Sequence, residues 1–163
     1  MEKTTIFGIE RDNAYMREAL KLAERAFRAN EVPVGSLIVD SEGVIIGRGM
    51  NKVEARHSQA AHAECFAIQA AGKKIRDWRL DGCWLYVTLE PCSMCMSLIL
   101  LSRLAGVVFG ASSPLFGFHL DNALSIELYK KGTPLIVKGV CQEQSSTLLK
   151  RFFQIKRNHK EVE

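Results

Sequence analysis

Four residues have the types and the spacing to do chemistry together. Cys92 and Cys95 stand three apart in Pro91-Cys92-Ser93-Met94-Cys95, and His62 and Glu64 stand two apart in His62-Ala63-Glu64. Cysteines at i and i+3 at the start of a helix project from one face, about one turn apart. The free N–H groups of a helix N-terminus lower thiol pKa and favour the thiolate that metal binding requires. Alone, such a pair is compatible with a redox dithiol, a structural zinc knuckle or a catalytic metal. His62 adds a third donor, and three protein ligands with an open fourth position make the catalytic form of a zinc site, whereas structural sites are closed with four. His57 is the nearest candidate for a fourth ligand. On a regular helix Glu64 is turned about 200° from His62. It is therefore expected to move protons at the metal's water rather than to bind the metal. Taken singly, His62 and Glu64 also suit an ordinary helix start, where Glu is favourable.

The elements that must position these residues follow from periodicity. Met16, Leu20, Ala23 and Phe27 recur at helical spacing between Asp12, a candidate N-cap, and Asn30, with Pro33 closing the segment. Two β-rich runs, 34–39 and 44–49, flank Asp40-Ser41-Glu42-Gly43 and predict a hairpin. A polar loop at 51–59 leads into Ala60-Ala61-His62-Ala63-Glu64-Cys65-Phe66, a second helix with Gly72 as its expected stop. Residues 83–88 predict a strand, 90–103 a third helix and 106–110 a strand, a unit that favours parallel pairing. Helices that follow adjacent parallel strands begin at the same sheet edge, which would let His62 reach the two thiolates. Residues 134–140 and 145–156 predict a fifth strand and a last helix.

At 163 residues, 47% hydrophobic and 25% charged, the chain suits one globular domain over residues 1–163. Its longest uncharged apolar run, 94–102, falls short of the roughly 20 residues a membrane helix needs. No signal-peptide pattern opens the chain, so a cytoplasmic location is expected. Five cysteines without a secretory signal suit thiols or metal ligands better than disulfides. The net charge of +4 is mild, but the tail Lys150-Arg151-Phe152-Phe153-Gln154-Ile155-Lys156-Arg157 gathers cations around two rings. A solvated amphipathic helix and a phosphate-facing patch both fit that tail.

His62-Ala63-Glu64 followed by Pro91-Cys92-Ser93-Met94-Cys95 matches the H-x-E…P-C-x-x-C signature of zinc-dependent cytidine and nucleobase deaminases. With EVPVGSLIV, GMN, RHSQAAHAE, RLDGCWLYVTLEPCSMC, SRLAGVVFGA and LLKRFF, the chain resembles the bacterial tRNA-specific adenosine deaminases (TadA type) over nearly its whole length. The resemblance implies a three-layer, cytidine-deaminase-like α/β fold, a central mixed sheet of about five strands with helices on both faces. It implies one Zn2+ per subunit on His62, Cys92 and Cys95. It also implies hydrolytic deamination of the wobble adenosine of a tRNA anticodon to inosine, with Glu64 as the catalytic proton carrier and release of ammonia. By the same resemblance Asn51, Val34 and Ala63 would hold the flipped base, and Phe152, Phe153 and Arg157 the anticodon stem-loop, in a homodimer. On the residues alone, Asn51 also suits an ordinary turn.

The likeness departs after Phe109-Gly110-Ala111. There the family has a charged stretch resembling Asp-x-Lys-x-Gly, and this chain has Ser112-Ser113-Pro114-Leu115-Phe116-Gly117. Residues 119–140 also match poorly. Two further readings therefore accompany the first: a zinc-dependent deaminase of a free nucleobase or nucleoside such as guanine or cytosine, and a non-catalytic zinc-stabilised RNA-binding protein.

Overall fold

The structure, a computed structural model, describes residues 4–120 and 134–160. Five strands, β1 (Gly35–Val39), β2 (Ile45–Met50), β3 (Trp84–Leu89), β4 (Gly106–Ala111) and β5 (Leu135–Lys138), form one sheet in the order β2-β1-β3-β4-β5. β1 runs antiparallel to both β2 and β3, while β3, β4 and β5 are parallel. Helices α1 (Ile9–Arg28) and α5 (Gln142–Lys160) cover one face, and α3 (Ala63–Ile75) and α4 (Ser93–Leu101) the other.

Strand periodicity builds the two cores. Leu37 and Val39 of β1 and Trp84 and Tyr86 of β3 point towards α1 with Met16, Ala19 and Leu22. Ile38, Leu85 and Val87 point the other way, onto Ala63, Ala67, Met96 and Ile99. A sheet buried on both faces reads as continuous apolar runs, which is why β1, β3 and β4 carry no charge. Each fully buried Leu, Ile or Val contributes about 1.5–3 kcal/mol.

Four expectations shift. α1 begins at Ile9 with Gly8 as N-cap, so Asp12 lies inside the helix. It is 1% exposed and accepts hydrogen bonds from Thr5 N (3.0 Å), Thr5 Oγ1 (2.5 Å) and the Tyr86 hydroxyl (2.6 Å). Burial between helix and sheet, rather than helix capping, uses this carboxylate. α3 passes through Gly72 and stops at Arg76, whose left-handed backbone (φ 58°) lets Asp77 N–H bond back to Gly72 O. The loop after β2 contains a short helix, α2 (Val53–Arg56), and Phe118–Leu120 form a 3-10 turn. Finally, β2 and β3 point the same way but are not neighbours, because β1 lies between them. The helices that follow them still start at one sheet edge. The expected fifth strand and last helix are present, the helix longer at both ends than predicted. Of the poorly matching stretch 119–140, residues 121–133 lie outside the described residues.

α3 lies unusually close to β2. A Cβ on Gly49 would overlap the Ala63 carbonyl oxygen, and one on Gly47 that of Ala67. Ala63, Ala67 and Ala71 supply the matching small side chains on the helix. The missing side chains of β2 thus set the depth at which α3 begins.

Candidate active site

His62 and Cys92 are each the residue before the first turn of their helix, with extended backbone (ψ 152° and 169°). Cys95 sits one turn into α4 and is fully buried. The His62 Nδ1 atom lies 3.6 Å from Cys92 Sγ and 3.4 Å from Cys95 Sγ. Among the described residues these three form the metal-ligand cluster, their donor atoms all within 4.8 Å of one another. One imidazole and two sulfurs at this separation fit a single Zn2+ with a fourth position open. His57, the candidate fourth ligand, is exposed in a left-handed turn and outside the cluster.

The sulfurs compete for protons. Cys92 is lowered to about 4, first by its hydrogen bond with Cys95 and then by His62. Cys95 is raised, first by Cys65 and then by Cys92, and His62 is raised by its hydrogen bond with Cys92. Cys92 is therefore a ready thiolate, and a dication held here would compete with the proton on Cys95.

Glu64 enters from the same turn. Because His62 stands outside α3 with extended backbone, the helical rotation between the two residues does not separate them, and both line one cavity of about 490 Å³. Glu64 is 4% exposed, and burial raises its carboxyl above the ordinary value. Burial that favours the protonated form makes this carboxyl a better proton acceptor than an exposed one.

The cavity also gathers Val34, Asn51 and Ala63. Asn51 is 6% exposed and its N–H bonds Val34 O at 3.0 Å. The loop from Asn51 to His62 closes on itself through Lys52 N–H to Ala61 O (2.9 Å). Glu31, 1% exposed, holds that loop from below, accepting from Glu54 N (3.0 Å) and Ala55 N (2.7 Å). Phe152, Phe153 and Arg157 do not line the cavity. Phe152 is 6% exposed and packs edge-on against Phe27, with ring centroids 5.7 Å apart. Phe153 and Arg157 are exposed on α5.

Sequence reasoning passed over Glu31, Glu90 and His119. Glu90 could have been found as a carboxylate placed directly before the Pro-Cys turn. No local pattern connects it with His119, 29 residues on.

Residues 9–111 match the family model described as the cytidine and deoxycytidylate deaminase zinc-binding region. The chain belongs to this family and, with its His62, Cys92, Cys95 cluster, is a zinc-dependent hydrolytic deaminase with one zinc per subunit. It is 41% identical over 153 residues to the tRNA-specific adenosine deaminase of Bacillus subtilis, covering 93% of this chain and 94% of that one. Against the tRNA-specific adenosine deaminase of Haemophilus influenzae it is 41% identical over 155 residues, covering 94% and 90%. A solved structure from a study of A-to-I editing by tRNA:A34 deaminases at the wobble position of transfer RNA superposes with a TM-score of 0.77. It is 31% identical, covering 83% of this chain and 99% of that one.

Proposed function

We propose that this protein deaminates the wobble adenosine of a tRNA anticodon to inosine, acting as a cytoplasmic homodimer. The observation that carries the reading is the placement of His62, Cys92 and Cys95 beside a buried Glu64 in a base-sized cavity, in a chain 41% identical to tRNA-specific adenosine deaminases over most of both lengths.

His62 Nδ1 and the two sulfurs would hold the zinc, and zinc bound there supplies Lewis-acid activation of water near neutral pH. Glu64 accepts the proton released from that water and passes it to N1 of the adenine ring, removing electron density from C6. Once the hydroxyl has added at C6, Glu64, again a carboxylate, takes the proton from that hydroxyl and delivers it to the amino group, so that the C6–N bond breaks, ammonia leaves and the C6 carbonyl of inosine forms. Asn51 offers an amide to the edge of the flipped base. Val34 and the start of α3 at Ala63 exclude water from its faces.

The α5 tail supports binding of a single-stranded loop. Phe153, 45% exposed, and Arg157 offer a ring and a guanidinium for bases and phosphates. The dimer reading is supported by α4, an apolar helix that leaves Met94 and Leu101 42% and 50% exposed.

The test is an anticodon stem-loop incubated with zinc-loaded protein, with inosine measured at the wobble position. Wild type is expected to convert it, and Glu64→Ala to retain zinc while losing turnover by about 10²-fold or more. Deamination of free guanine or cytosine with no conversion of the stem-loop would assign the protein to free bases. RNA binding without deamination of any substrate would make it a non-catalytic binder.

A further inference from the structure

The segment after β4 forms the lip of the cavity, and its fixation is unusual for a loop. Glu90, with a side chain 2% exposed, accepts hydrogen bonds from Ser113 N (2.9 Å), His119 N (3.3 Å) and His119 Nδ1 (2.5 Å). Gly117 N–H bonds Ser113 O at 3.0 Å, and Phe118 N–H bonds Pro91 O at 2.9 Å. The Phe118 ring packs edge-on against Phe109 of β4. A Cβ at Gly117 would overlap the Glu90 carboxylate, so a larger residue there would push that carboxylate off its present position. A buried carboxylate thus clasps both ends of the lip.

The clasped lip holds Phe116 at the mouth. Phe116 lines the same cavity as Glu64 and Asn51 yet is 76% exposed. An exposed aromatic ring on a backbone pinned at both sides is a preformed flat surface.

Charge decides what that surface can bind. From Ala111 to Leu120 the chain has no Lys, Arg, Asp or Glu. Among the described residues the cavity lining includes no Lys or Arg, and its carboxylates are Glu31, Glu54, Glu64 and Glu90. No Lys or Arg among the described residues thus lines this mouth to pair with a phosphate. The exposed ring of Phe116 offers this mouth an uncharged surface for the face of a base. Aromatic rings bind single-stranded bases by stacking, with little dependence on base identity.

We propose that Phe116 is the stacking platform for the base adjoining the target adenosine in a single-stranded RNA loop, and that Glu90 and His119 are positioning residues that hold it there. The proposal rests on the function proposed above and extends it to a second base.

The experiment uses stem-loops carrying 2-aminopurine immediately 5′ or 3′ of the target adenosine, titrated with the zinc-loaded full chain. Stacking on Phe116 quenches one of the two probes. Phe116→Ala is expected to remove that quenching and to raise KM about tenfold, with the loss falling on KM rather than kcat. Phe116→Tyr restores both readouts. His119→Ala weakens the same probe's quenching without loss of zinc. Unchanged quenching and KM in Phe116→Ala, with wild type converting the stem-loop, overturns this proposal alone. Dissociation of the Phe116→Ala dimer in sedimentation also overturns it, by assigning the ring to a second copy of the chain. A wild type that neither binds nor converts the stem-loop overturns the underlying reading, and this proposal with it.

Discussion

His62 and Cys92 occupy the same position on two different helices, the residue just before the first turn, and their ligating atoms lie 3.6 Å apart. Equivalent placement makes the site a junction of two helix starts. Removing one donor therefore affects both helices. Cys95→Ala is expected to lose stoichiometric zinc, measured by metal analysis after dialysis, and to lower the unfolding temperature by several degrees.

Glu31 carries the loop between Asn51 and His62. Glu31→Gln keeps one acceptor but turns an amide N–H₂ towards the N–H groups of Glu54 and Ala55. The expected cost is about 1–3 kcal/mol in urea unfolding. A fall in kcat/KM accompanies it, because the loop ends at the zinc ligand. Unchanged unfolding and activity would show that water replaces the carboxylate there.

Gly49→Ala tests whether the depth of α3 matters. The added methyl meets the Ala63 carbonyl, so α3 must move outward and carry His62 and Glu64 with it. Overpacking of this kind costs about 1–3 kcal/mol. The zinc content and turnover of the refolded variant should fall as well, although no ligand has changed.

Tyr86 gives a pH dependence with a defined sign. Burial, and then the Asp12 carboxylate, raises its phenol well above the ordinary value. The folded state keeps this proton where the unfolded chain releases it, above about pH 10. Its contribution is therefore fully present below pH 10 and declines as pH rises further. Tyr86→Phe should lower stability at pH 8 by about 1.5–3 kcal/mol, the worth of a hydrogen bond to a charged group. The gap between wild type and variant should narrow as pH is raised above 10, measured by urea denaturation at each pH.

The helices, the hairpin and the strand-helix-strand unit were legible because both faces of the sheet are buried and the apolar runs are bounded by Gly, Pro and Asp. The ligand cluster was legible because Cys92 and Cys95 stand three apart at one helix start and His62 opens another. Asp12 was misread because a carboxylate near a helix start looks the same whether it caps the helix or accepts from a tyrosine 74 residues on. The order of β1 between β2 and β3 was hidden for a similar reason, since no local pattern distinguishes one neighbour from two. Glu90 and His119 meet only through tertiary structure. Phe152 and Phe153 are adjacent in sequence, and only packing on Phe27 sends one inward and leaves the other outside.

The interposed strand β1 has a consequence for assembly of the chain. It carries one hydrogen-bonded ladder to β2 and another to β3, and His62 hangs from the first while Cys92 and Cys95 hang from the second. A slip of one residue in either ladder shifts a donor by about 3.3 Å and turns side chains to the wrong face. Zinc ligand distances tolerate about 0.2 Å. All three donors converge only when both pairings are correct, so uptake of zinc during refolding counts the correctly paired molecules.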